Sequence, residues 1–346
     1  MIRQALKLTT YTGERDRAGD AFLADALLDL YGRRGLATSL LVRGLEGFGI
    51  EHHMHSARLL TLSEDLPLVT VAVDTRERIE PVLAEVRTLT DRGLVTLERA
   101  RLLIAPLADG VRLAPSPDGH KLTVYLGRHE RAGRREAFLS VVDVLREAGM
   151  AGATVLLGVD GTAHGQRRRA RFFASNSEVP LMIISIGEGP AVVRALPLLD
   201  GLLERPLVTL ERVRLVKRDG VRLAGAAVAL AATDPRGLPV AQKLMVHSSA
   251  AARHDGAPLH TQLMRRLRRE GAVGATSMRG VWGFHGDHAP HGDRLWTLGR
   301  ETPVMTVVVD APERAERWLA VIDELTDRGG LVTSEIVPAL WGWRKG

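Results

Sequence analysis

The sequence predicts an α+β protein built from three tandem copies of one β-α-β-β-α-β unit. The first observation behind this is an internal repeat. Lys7-Leu8, Lys121-Leu122 and Lys243-Leu244 each open a strand-like segment. An amphipathic stretch follows each, ending at Gly35, Gly149 and Gly271, and then an apolar run closes on Gly44/Gly47, Gly158/Gly161 and Gly280/Gly283. From Gly35 to Gly47 the copies align without gaps at offsets of 114 and 236. The second observation is that the rest of the unit repeats as well. Leu66-Pro67, Val179-Pro180 and Thr302-Pro303 precede β-rich runs, and Leu94-Val95-Thr96, Leu207-Val208-Thr209 and Leu331-Val332-Thr333 follow a second helical stretch. The third is periodicity within one copy. Leu23, Leu27 and Leu30, then Ile79, Val82, Leu83, Val86 and Leu89, recur at helical spacing, whereas Val69, Val71 and Val73 alternate as a half-buried strand does. Gly35 stands where a helix C-cap belongs. Units of this order and length are ferredoxin-like, a four-stranded antiparallel sheet with two helices on one face.

The boundaries expected from the repeat are residues 1–105, 120–216 and 240–340, with linkers at 106–119 and 217–239 and a tail at 341–346. Asp109-Gly110-Val111-Arg112-Leu113-Ala114 recurs as Asp219-Gly220-Val221-Arg222-Leu223-Ala224, and Asp-Gly ahead of an alternating run suggests a turn into an extra strand in each linker.

Composition narrows the function classes. The chain of 346 residues is 45% hydrophobic and 25% charged, as folded proteins are. It has no cysteine, so thiolate catalysis, disulfides, Cys-ligated zinc and iron–sulfur clusters are excluded. The start carries no apolar segment behind a basic region, and the most apolar stretch, Leu223 to Ala232, is too short to span a bilayer, so a cytoplasmic protein is expected. The formal charge of +6 comes mostly from arginine, since only five of the 47 cations are lysine. Most of these arginines adjoin Asp or Glu, as salt-bridged helix faces do.

Leu62-Ser63-Glu64-Asp65-Leu66-Pro67, Arg43-Gly44-Leu45-Glu46-Gly47-Phe48-Gly49 and Gly271-Ala272-Val273-Gly274-Ala275-Thr276 resemble an uncharacterised family, domain of unknown function 190. That family in turn resembles the PII signalling proteins. The resemblance implies PII-like subunits that close their sheets around a threefold axis, so three copies in one chain would form a monomeric intramolecular pseudo-trimer. It also implies a regulatory protein that binds an effector, plausibly an adenine nucleotide, between copies and signals through the loops after the second strands. A membrane channel or transporter is a partner suggested by family analogy alone.

Two constellations lie in those loops. Gly47-Phe48-Gly49 match the PII loop base and Gly283-Phe284 match it in part, His285 preceding the next glycine, whereas Gly161 in copy two has lost the aromatic; Gly44, Gly158 and Gly280 open the same Gly-x-x-Gly in each copy. Glycines there let backbone N–H groups converge on an anion, though they also serve bulges and turns. Arg168, within Arg167-Arg168-Arg169, adds cationic charge in copy two. Histidine is the second constellation. His52, His55, His285, His288 and His291 could ligate a divalent metal, with His52 aligned to His288 and His55 to His291. The expectation is therefore a non-enzymatic sensor, with divalent-metal binding or a ligand-free protein-interaction scaffold as alternatives. No nucleophile–base pair, phosphate-loop or zincin motif is present. RNA binding is disfavoured because the first strands lack paired aromatics, Tyr11 and Tyr125 standing alone. Asp74 and Asp310 read as N-caps of the second helices, and Trp318 as core.

Overall fold

The computed structural model describes residues 2–49, 55–56, 65–113, 118–163, 166–169, 179–226, 231–286, 291–292, 302–326 and 329–341, with backbone alone at 55–56, 162–163, 166–169, 291–292 and 341. It is strand-rich and holds three tandem units of mixed helix and strand.

Each unit begins with a strand whose two faces differ. In copy one the first strand, Ile2–Gly13, sends Leu6 and Leu8 toward its helices and Lys7, Thr9 and Tyr11 to the opposite side. Its counterparts are Asp118–Gly127 and Val240–Ser249. The first helices are Leu23–Arg33, Ala137–Glu147 and Leu259–Arg269. Each stops at a glycine in the left-handed region, Gly35, Gly149 or Gly271. An arginine of the second helix then reaches the carbonyls of that stop. Arg78 bonds Arg34 O at 2.8 Å, Arg194 bonds Ala148 O at 2.9 Å and Arg314 bonds Gly271 O at 2.6 Å, placing a cation at each negative helix end.

The second strands (Thr38–Arg43, Gly152–Leu157, Gly274–Arg279), third strands (Pro67–Thr75, Pro180–Gly187, Pro303–Asp310) and fourth strands (Leu94–Leu103, Leu207–Arg218, Leu331–Trp341) complete the sheets. In every copy the antiparallel order is second, third, first, fourth. The second helices, Arg76–Leu89, Gly189–Leu202 and Ala315–Leu325, pack with the first on one face and enclose a separate core in each copy. The other sheet face is not left to water. Val69, Val71 and Val73 meet Met182, Ile184 and Ile186, and both sets meet Met305, Val307 and Val309 in one shared core.

Strand pairing joins the copies in a cycle. The fourth strand of copy two pairs with that of copy one at Val208↔Leu103 and with that of copy three at Arg214↔Ser334, and copy three returns to copy one at Leu340↔Val95. A short arm strand after each second strand adds a second set of links. Glu46–Phe48 pairs with the second strand of copy three, Asp160–Ala163 with that of copy one, and Trp282–His285 with that of copy two.

The linkers differ from one another. Asp219 and Gly220, both at positive φ, turn the chain so that Lys217 pairs with Arg222, a two-residue hairpin. Asp109-Gly110 lies in a turn that leads into no strand over 111–113. The aspartates read as N-caps serve another purpose. Asp74 accepts from Ala37 N at 2.8 Å and Asp310 from Val273 N at 3.1 Å, holding the segment after each first helix against the end of the third strand. Asp310 also accepts from the indole N–H of buried Trp318 at 2.8 Å. No side-chain cap bond forms at either second helix.

A side chain at Gly161 would place its Cβ 2.3 Å from Ser39 O, and one at Gly283 would lie 2.1 Å from Ala153 O. Gly161→Val and Gly283→Val are each expected to lower stability by about 1–3 kcal/mol, the usual result of overpacking. Urea titration checks this, and wild-type midpoints would contradict the pairing.

Candidate functional site

The most unusual group of side chains lies where the three sheets meet. Lys7, Lys121 and Lys243 occupy equivalent positions on the first strands, and Glu98, Glu211 and Glu335 are their direct partners in register on the fourth. All six are buried, Lys121 completely. Ion pairs run within and between copies. Lys7 Nζ lies 2.5 Å from Glu98 Oε2 and 2.9 Å from Glu211 Oε1. Lys121 Nζ lies 2.5 Å from Glu335 Oε1 and 2.9 Å from Glu211 Oε2, and Lys243 Nζ lies 2.9 Å from Glu98 Oε1. Thr96 and Thr9 hydroxyls donate to Glu98 at 3.0 and 3.3 Å.

Three lysines stand against three glutamates, and burial, which lowers Lys243, is outweighed at Glu98 and Lys7. Burial alone would raise the pKa of Glu98, but Lys243, Lys7 and Lys121 outweigh it and hold that carboxyl well below its ordinary value. Burial likewise opposes the charge on Lys7, which Glu211 and Glu98 nevertheless keep well above the usual lysine value. Carboxylate oxygens of Glu98, Glu211 and Glu335 lie within 4.8 Å of one another, close enough for metal ligation. The lysines already occupy that role, so a divalent ion would bring surplus positive charge into a neutral group. Beside the ring a cavity of about 30 Å³ is lined mostly by apolar side chains, Val69, Val71, Ile184 and Met245 among them, with Thr9, Tyr11, Thr123 and Tyr125 also on its wall. Tyr125 is buried here.

The three contacts made by the arms are the second feature. Each arm packs against the first helix of the copy whose second strand it joins. At the start of the copy-one arm, Glu46 is buried and accepts from Thr261 Oγ1 of copy three at 3.0 Å, with His260 Nε2 3.8 Å from the same oxygen. Burial pushes the Glu46 carboxyl up, against the Thr261 hydrogen bond and Arg265. Burial, then Arg279 and Arg253, lower His260 to about 4. Among the described residues His260 Nδ1 has no hydrogen-bond partner. Sequence reasoning did not single out this group, whose members lie more than 200 residues apart in the chain.

The glycines singled out from the sequence sit at the same contacts. Gly44, Gly158 and Gly280 donate their N–H groups to Pro67, Pro180 and Pro303 carbonyls at 2.7, 3.1 and 2.8 Å. Gly47, Gly161 and Gly283 lie opposite Thr276, Leu40 and Thr154 of the neighbouring copy. Phe48 is buried in the core of copy three and Phe284 in that of copy two. Gly49 has open space around it. In this geometry the Gly-x-x-Gly pairs let two backbones approach closely.

Of the histidines, His285 ends the copy-three arm opposite Gly152. The backbones of His55 and His291 pair with Gly47 and Gly283, and that of Arg168 with Gly161, their side chains lying outside the described residues. His52 and His288 lie outside them altogether.

Comparison with known proteins accounts for the repetition. Residues 5–102, 119–215 and 241–339 each match domain of unknown function 190, described as an uncharacterised ACR. The chain belongs to that family, in three tandem copies. It is also similar to two UPF0166 proteins of Aquifex aeolicus (strain VF5). One is 27% identical over 98 residues, covering 28% of this chain and 91% of the relative. The other is 31% identical over 68 residues, covering 20% and 71%. Among the described residues no helix is long and apolar enough to cross a membrane.

Removing one member of the ring strands a buried charge, so Lys121→Met is expected to cost about 3–5 kcal/mol. Chemical denaturation checks this, and a loss below about 1 kcal/mol, the worth of an exposed pair, would contradict it. The sign of the pH effect follows from Glu98. Its folded pKa is depressed, so its contribution is present above the unfolded value of about 4.3 and is lost as pH falls below it. Glu98→Gln should therefore lower neutral stability and flatten the acid limb of a stability–pH profile.

Proposed function

We propose that this protein is a PII-like sensor. In this reading three ferredoxin-like units form an intramolecular pseudo-trimer that binds a small anionic effector, an adenine nucleotide, between copies without turning it over. The strand order of each unit and the cyclic pairing of the copies support the architecture. The observation that carries the functional reading is the Glu46–His260 contact. A carboxyl pushed up and an imidazole pushed down meet at a junction between copies, ringed by arginines. Perturbed pairs of this kind concentrate at binding sites. The arms lead directly into the loops after the second strands, so an effector at the junction would change what those loops present to a partner. That partner, by family analogy, is a membrane channel or transporter.

Thermal unfolding of metal-free protein against ATP, ADP, AMP, cyclic nucleotides, Zn²⁺ and Ni²⁺ tests the reading. A ligand at 100 times its Kd adds about 2.7 kcal/mol, enough to raise the midpoint by several degrees. A shift with a nucleotide is expected. A shift with the metals alone would transfer the function to the histidine loops, and no shift would leave a protein-binding scaffold. Sedimentation velocity tests the architecture, for which a compact monomer of 37.7 kDa is expected and an obligate trimer of chains would contradict the pseudo-trimer.

A further inference from the structure

Next to the ring, the three copies treat one pair of equivalent positions differently. The cross-strand pairs there are Thr9↔Thr96 in copy one, Thr123↔Thr209 in copy two and Met245↔Thr333 in copy three. Each of these residues stands two positions from its ring lysine or glutamate, so it shares the ring's face of the sheet. In copy one both hydroxyls are used, since Thr9 and Thr96 donate to Glu98 Oε1. In copy two neither is. Glu211 takes Lys7 on one oxygen and Lys121 on the other, each at 2.9 Å. Among the described residues Thr123 Oγ1 and Thr209 Oγ1 make no hydrogen bond.

A third hydroxyl joins them. Tyr125 follows Thr123 on the same strand face, and Thr209 lies close enough to bear on its phenol, yet no hydrogen bond forms there either. Thr123 is 1% exposed, Tyr125 5% and Thr209 0%. Buried hydroxyls left without partners are costly, and native proteins seldom keep them so. Here three are gathered on one strand pair. Thr123 and Tyr125 stand on the wall of the cavity beside the ring, and Thr209 is the direct cross-strand neighbour of Thr123.

We propose that this cavity is a hydration site, in which one or two ordered water molecules bridge Thr123 Oγ1, Tyr125 OH and Thr209 Oγ1. The water does for copy two what Glu98 does for copy one. A volume of about 30 Å³ exceeds the roughly 10–15 Å³ that one water needs and excludes anything as large as an aromatic ring. Three polar partners are the number a buried water ordinarily finds. The apolar wall of Val69, Val71 and Ile184 offers no hydrogen bonds, which confines the water to the hydroxyl side. A halide would fit the space but not the charge. Lys7 and Lys243, the lysines on this wall, are already engaged by glutamates, so an anion would enter without a counter-ion of its own. This site is independent of the sensor reading.

A crystal structure of the intact chain at a resolution that shows ordered water tests the proposal. A density peak within about 2.7–3.2 Å of Thr123 Oγ1 and Tyr125 OH is expected. A cavity without density would overturn it, and so would an anomalous peak there after a bromide soak, which would make it a halide site. Urea unfolding of Thr123→Val gives a second reading in solution. Valine keeps the shape of threonine without the hydroxyl, so the midpoint falls if Thr123 bonds a water and rises if the hydroxyl is a dry orphan. A lower midpoint is expected, and an unchanged or higher one would overturn the proposal.

Discussion

Six charges withdrawn from water organise this molecule. A buried ammonium or carboxylate is tolerated only when it is paired and hydrogen-bonded, and here that pairing runs between copies as well as within them. Lys7 lies between its own Glu98 and the Glu211 of copy two, Lys121 reaches Glu335 of copy three, and Lys243 reaches Glu98 of copy one. Each sheet face therefore shares its charge pairing, as well as its apolar surface, with the other two. The valines and methionines of the shared core supply the burial, while the ring restricts which faces can meet and in what register.

Much of this organisation was legible in the sequence, although its meaning was not. The repeated Lys-Leu pairs marked the first strands correctly, and the structure turns Leu6 and Leu8 to the helix-covered face. That the intervening lysine was buried could not be seen, because a lone Lys on a strand normally faces solvent. Its partners follow Leu-Val-Thr in a segment about 90 residues later, and only the fold sets them side by side. The glycines show a different limit. Close approach to a phosphate and close approach to a neighbouring strand both require a missing Cβ, so Gly47, Gly161 and Gly283 look the same for either purpose. What separates the purposes is the group that approaches, and here Ala275, Ser39 and Ala153 carbonyls do so. Asp74 and Asp310 misled for a related reason. A carboxylate just before a helix suggests a cap, yet the nearby segment after the first helix offered unpaired N–H groups that it satisfied instead.

Covalent fusion explains how the junctions could part company. Identical subunits would carry the same residue at all three positions, whereas one chain can place His260, Ala24 and Phe138 at equivalent points. The ring carries one lysine and one glutamate from each copy at equivalent positions. Its constraint is shared by all copies, since losing any one member strands a charge. The junctions lie toward the outside, where a change in one copy leaves the others unaffected.

Scanning calorimetry of the intact chain tests the central claim most directly. If the ring and the shared core make the three copies one cooperative body, the chain unfolds in a single transition with calorimetric and van't Hoff enthalpies in a ratio of about one. Separate transitions, or a ratio approaching three, would show copies that fold and melt independently, and would contradict the account.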